Sequence, residues 1–101
     1  MHLIQILLPT YDNEGKPFPH DLYGAIGDEL VGRFSGLTAY TQAPAEGLWT
    51  RGNRTARDEI VVFEVMVEEL DERWWSDYRH ELESRLRQES VVIRTHPIRL
   101  L

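Results

Sequence analysis

The eight residues Ile60 to Val67, IVVFEVMV, constrain the fold more than any other stretch of the chain. β-Branched and aromatic side chains at this density specify a strand. Alternation places Val61, Phe63, Val65 and Val67 on one face and Ile60, Val62, Glu64 and Met66 on the other. A strand that is apolar on both faces belongs in the middle of a sheet covered on both sides. Leu3 to Leu8 makes the same demand, with Ile4, Ile6 and Leu8 pointing one way and Leu3, Gln5 and Leu7 the other.

Between these two strands the period changes. Thr10 to Pro19 is rich in turn formers and reads as a loop. Leu22, Ile26, Leu30 and Phe34 then recur every four residues, with Tyr23 and Val31 beside them, so a helix is predicted from His20 or Asp21 to about Arg33. Gly24, Gly27 and Gly32 weaken it, each by about 1 kcal/mol against alanine if interior. Gly36 offers an exit. Leu37 to Gln42 alternates as a strand, and Ala43 to Gly47 interrupts it, because Pro44 has no N–H to donate. Leu48 to Arg51 resumes the extended run, and Gly52-Asn53 is a pair that closes type II′ hairpins. Arg51 then faces Arg54 and Trp49 faces Ala56, making Ala43 to Arg57 a hairpin arm.

Asp71 is a credible N-cap for a second helix, with Leu70 placed to pack on Trp75 as a staple. Trp74 or Trp75, Tyr78, Leu82 and Leu86 form its apolar stripe as far as about Gln88, and Glu81 and Arg85 are spaced for an i,i+4 pair. Ser90 to His96 closes as a strand, with Val91, Ile93 and Thr95 opposite Val92, Arg94 and His96. The order strand, helix, strand, strand, helix, strand is that of a ferredoxin-like βαββαβ fold. The expectation is one α+β domain over residues 1–101, a four-stranded antiparallel sheet with two helices on one face and an extended arm between its second and third strands.

Size and composition narrow the function. A chain of 101 residues has room for one core, not two. A net charge of −6 argues against nucleic acid, whose phosphates require clustered Lys and Arg. With no cysteine, thiolate metal sites and Cys nucleophiles are excluded, and the four histidines lack metal-ligand spacing. The N-terminus has neither the basic flank of a signal peptide nor the length of a membrane span, so a cytoplasmic protein with no membrane partner is expected. No phosphate loop, dinucleotide fingerprint or nucleophile elbow occurs, and no cofactor is expected.

With both helices on one side, the other sheet face is left open. It would present Leu3, Gln5 and Leu7, then Thr38, Tyr40 and Gln42, then Ile60, Val62, Glu64 and Met66, then Val92, Arg94 and His96. So apolar a face calls for a cover, most economically a second copy of the chain. The candidate site is therefore Glu64 and His96 as acid/base groups, with Gln5, Tyr40, Arg94 and Trp49 as ligand-binding residues. Two readings stay open. Either a small organic molecule binds between two sheets, with cofactor-independent proton transfer at Glu64 or His96, or Glu64, Arg94 and Gln5 satisfy one another in a non-enzymatic assembly or regulatory module. Arg51, Arg54 and Arg57 on the arm either hold an anion or pair with carboxylates.

The run RFSGLTAYTQAPAEGLW, followed by DEIVVFEVMVEELDERWWSDYRHELESRLRQ, resembles a small uncharacterised bacterial protein family with an F-G-G-L-T…A-P-A-E-G-L-W pattern; Ser35 stands in for the first of its glycines. The likeness spans most of the chain and implies no catalytic residue. More loosely, the element order is similar to that of the dimeric α+β barrel proteins, which include cofactor-free monooxygenases, isomerases and stress-response domains. That similarity implies a homodimer and leaves the chemistry open.

Overall fold

A computed structural model describes residues 1–35, 37–40, 47–51, 54–58 and 60–101, with the backbone alone described for 37–40, 47–51 and 54–58. In chain order the elements are β1 (His2–Pro9), α1 (His20–Arg33), β2 (Leu37–Tyr40), β3 (Gly47–Arg51), β4 (Arg54–Asp58), β5 (Ile60–Val67), α2 (Glu72–Leu86) and β6 (Val92–Pro97). Among the described residues the protein is α+β, with two helices and an antiparallel main sheet in the order β2–β5–β1–β6. Three of those strands are long, and β2 is a four-residue strip along the β5 edge.

The arm departs from expectation. β3 and β4 form a two-stranded sheet of their own rather than prolonging the main one. Their register is the one predicted, Arg51 against Arg54 and Trp49 against Ala56. Gly36, Thr41 to Glu46 and the Gly52-Asn53 pair lie outside the described residues.

Burial follows the alternation of the central strands. Ile4, Ile6 and Leu8 of β1 and Val61, Phe63, Val65 and Val67 of β5 are buried, and the residues that alternate with them are not. Both helices cover this one face. α1 contributes Ile26 and Leu30, α2 contributes Trp75, Tyr78, Leu82 and Leu86, and all of them join one core cluster. Val31, expected beside the α1 stripe, is 58% exposed, because its position lies off the i, i+4 line that meets the sheet.

Local chemistry sets the helix ends. The Asp71 carboxylate accepts the Trp74 N–H at 3.1 Å, which makes Asp71 the N-cap of α2. That helix stops at Leu86, two residues short of expectation. Arg87 adopts a left-handed conformation with φ 52°, and its neighbour's N–H reaches back from Gln88 to the Glu83 carbonyl at 2.9 Å. The Arg87 N–H bonds the Ser84 carbonyl at 3.3 Å, completing a Schellman ending without its usual glycine. Asn13, from the loop after β1, caps the same terminus by donating to the Arg87 carbonyl at 2.8 Å.

The interior glycines of α1 provide a direct check. A Cβ built at Gly24 meets nothing within 4 Å, so alanine there adds helix propensity without a clash. Gly24→Ala should raise stability by about 0.8–1 kcal/mol, and Tm by about 4–8 °C in thermal unfolding followed by circular dichroism. No rise would mean that α1 is held entirely by its packed face.

Candidate functional site

The face of the main sheet away from the helices is organised by register. Gln5 on β1 lies between Glu64 of β5 and Arg94 of β6, and Thr38 of β2 follows Glu64 on its other side. Side chains complete the row. Gln5 Nε2 donates to Glu64 Oε2 at 2.8 Å, and Arg94 Nε donates to Gln5 Oε1 at 2.7 Å. The amide is suited to this place. Two strand spacings, about 10 Å, separate the carboxylate from the guanidinium, and an amide offers a donor to one and an acceptor to the other.

Apolar side chains flank the row. On one side, Val62, Leu7 and Val92 are aligned across β5, β1 and β6; on the other, Met66, Leu3 and His96. Val92 is 49% exposed and Met66 40%. The face is thus apolar with one charged row across it, as its alternation predicted.

The two acid/base candidates do not meet. His96 lies in a different row from Glu64 and two strands away, roughly 12 Å apart by strand geometry. Among the described residues the His96 imidazole makes no hydrogen bond, and the Glu64 carboxylate is held by Gln5 alone. Tyr40 belongs to β2 and Trp49 to β3, but their side chains lie outside what is described, as do those of Arg51, Arg54 and Arg57. No group of three or more His, Asp or Glu side chains among the described residues is placed to hold a metal ion.

A concavity of about 270 Å³ lies where α2 overhangs β6. Ile4, Leu70, Trp75 and Ile93 line it, with Glu72 and Arg79 among its polar groups. Leu70 and Trp75 share this wall, in keeping with the expected staple. Trp75 is 5% exposed, and its buried indole N–H has no partner among the described residues. Burial of the ring outweighs that omission. It stacks on Phe34 at 5.1 Å and meets Trp74 edge-on at 4.7 Å. Burying such a ring is worth about 4–6 kcal/mol at 25 cal/mol per Å², against about 1–3 kcal/mol for an unsatisfied donor.

Electrostatics elsewhere on α2 are structural, and the sequence missed them. Arg85 does not pair with Glu81. Its Nη1 reaches Glu29 of α1 instead, at 2.9 and 2.8 Å from the two oxygens. Tyr78 donates its hydroxyl to the same carboxylate at 2.9 Å. Glu83 ties α2 to the approach to β6 by accepting the Val91 N–H at 2.9 Å. That backbone bond, aided by Arg79 and His80, holds the Glu83 carboxyl below the usual range. A carboxylate with a depressed folded pKa adds stability above its unfolded value and loses it as pH falls through the folded one. Glu83→Gln should therefore be less stable than the parent above the ordinary glutamate pKa of 4.5, with the difference shrinking as pH falls below it, in denaturant series taken across that range. A difference that does not change with pH would show that the Glu83 charge contributes nothing.

Comparison with known proteins adds no name. No family model matches the chain, and neither a curated protein nor a solved structure matches it. The site must be read from its own geometry. Among the described residues no helix is long and apolar enough to cross a membrane.

Proposed function

We propose that this chain is a ferredoxin-like unit that works as a homodimer of the α+β barrel kind, sheet against sheet, binding a small and partly apolar molecule in the enclosed space. The observation that carries this reading is the open face itself, where Leu3, Leu7, Val62, Met66 and Val92 surround a single charged row. A face of that composition gains by leaving water, and sheets stacked about 10 Å apart leave room for side chains and a small ligand.

Proton transfer by Glu64 and His96 acting together is the version with least support, because the register keeps them in separate rows. Any acid/base step would fall to one of them alone, and Glu64 has one oxygen engaged by Gln5. The second reading, an assembly or regulatory module with no ligand, is favoured by that same bridge, which joins carboxylate to guanidinium without help from a bound molecule.

Light scattering at micromolar concentration tests the dimer: the expected mass is twice the 11.8 kDa of the chain, and a lone 11.8 kDa species overturns it. A thermal-shift screen of small apolar acids, amines and aromatics then separates the two readings. Stabilisation by some of them supports a ligand site. A dimer indifferent to every compound supports assembly alone.

A further inference from the structure

The charged row does more than decorate the open face: it fixes how a second copy can sit on it. Resting on the stacked-sheet reading above, we infer that the two sheets meet about a two-fold axis running parallel to β1 and passing over Gln5, so that Arg94 of each copy lies on Glu64 of the other.

Charge selects this axis. Gln5 is central, with Glu64 one strand away on one side and Arg94 one strand away on the other. A two-fold axis along the strands exchanges those flanks and sets each guanidinium over a carboxylate. An axis along the row would return each group onto its own kind, Arg94 on Arg94 and Glu64 on Glu64, and like charges so placed are repulsive. The apolar pattern accommodates the same axis. Rotation about the strand direction keeps each row facing its own counterpart, so Val92 meets Val62, Leu7 meets Leu7 and His96 meets Met66. Rotation about the row would set Val62 on Met66 and Val92 on His96, so His96 meets an apolar side chain about either axis and charge alone decides.

Reach is adequate. Stacked sheets lie about 10 Å apart, a gap that an arginine from one side and a glutamate from the other can close together. Within one copy the Gln5 bridge already orients both side chains, which lowers the entropy lost when they pair across the interface. The arrangement is isologous, so each pair forms twice. It also assigns space: with the row occupied by cross-copy pairs, an enclosed ligand belongs in the apolar strips beside it, and Glu64 acts in assembly.

Charge reversal tests this. Glu64→Arg or Arg94→Glu alone should weaken self-association by more than about thirtyfold, since breaking a desolvated pair leaves a buried charge unpaired. The double swap, Glu64→Arg with Arg94→Glu, should restore it. An equimolar mixture of the two single variants should form heterodimers. Wild type and the double swap should each self-associate but not mix, whereas an axis along the row would make them prefer each other. Sedimentation velocity on mixtures, one component fluorescently labelled, reads all four, with circular dichroism confirming the fold. If a reversal unfolds the chain, Glu64→Gln and Arg94→Gln take its place: each weakens association, and the two together cost no more than either alone. A wild type that is monomeric overturns the stacked-sheet reading. A wild-type dimer indifferent to these substitutions, or one that mixes with the double swap, leaves that reading standing and overturns this axis.

Discussion

Leu82→Ala is expected to lower stability by about 3 kcal/mol, within the range of about 2–5 kcal/mol for deleting a fully buried leucine. Leu82 is 0% exposed and lies on the α2 face that covers β1 and β5. The loss has two parts. The removed carbon atoms no longer leave water on folding, and neighbours locked in a helix and two strands collapse only partly into the gap. In a domain of this size such a loss lowers Tm by about 12–24 °C. Val31→Ala is the matched control on the other helix. Val31 is 58% exposed, so the same kind of truncation should change stability by no more than about 0.5 kcal/mol. Protein concentration must be equal in both measurements, because self-association adds to apparent stability by mass action. A Leu82→Ala loss below 1 kcal/mol would mean that α2 does not seal the core in solution.

Glu29→Ala is expected to cost about 1–2 kcal/mol, chiefly through the hydroxyl it strands. Glu29 is the only carboxylate among the described residues that accepts from both Tyr78 and Arg85. The ion pair itself contributes little. The Glu29 side chain is 45% exposed and that of Arg85 27%, and pairs of that exposure are worth about 0–1 kcal/mol. Tyr78 is different, because its ring is 6% exposed. Burial raises the phenol well above its ordinary pKa, and the hydrogen bond to Glu29 raises it further. A group whose folded pKa lies above its unfolded value adds stability that is fully present below the ordinary 10.0 and declines as pH rises. Glu29→Ala should therefore make Tyr78 titrate at lower pH in an alkaline absorbance titration. Tyr23, also raised by burial, is the internal reference and should not move. Glu29→Gln, which keeps an acceptor but no charge, should fall between the two. A Tyr78 titration unchanged in Glu29→Ala would remove the argument that this bond joins the helices.

The candidate site was legible as far as alternation reaches. The phase of Ile60 to Val67 places Glu64 opposite Phe63 and Val65, and the strand order then brings Gln5 between Glu64 and Arg94. Sequence could not show that the Gln5 amide turns its donor to one and its acceptor to the other, because that is a choice of rotamer made only once three strands are in register. Nor did it show that His96 falls one row away from Glu64, which the register settles.

Arg85 marks the boundary most clearly. From the sequence alone it belongs with Glu81, one helical turn away, in a pair worth about 0.3–0.5 kcal/mol. In the fold α1 brings Glu29 within reach, and that carboxylate offers Arg85 both oxygens while accepting from Tyr78 as well. The arm divides the same way. Its internal register follows from local pairing between neighbours in the chain, whereas its standing as a two-stranded sheet of its own is seen only in the strand pairing of the whole fold. What the sequence by itself determined are the properties with a short period: which stretches are strands, which are helices, and which face of each is apolar. Two-residue and near-four-residue repeats follow from backbone geometry and need no knowledge of distant residues. The tertiary structure alone decided the partners of charged and polar side chains. Several acceptors lie within a long side chain's reach, and the one that wins is set by desolvation and geometry where two surfaces meet.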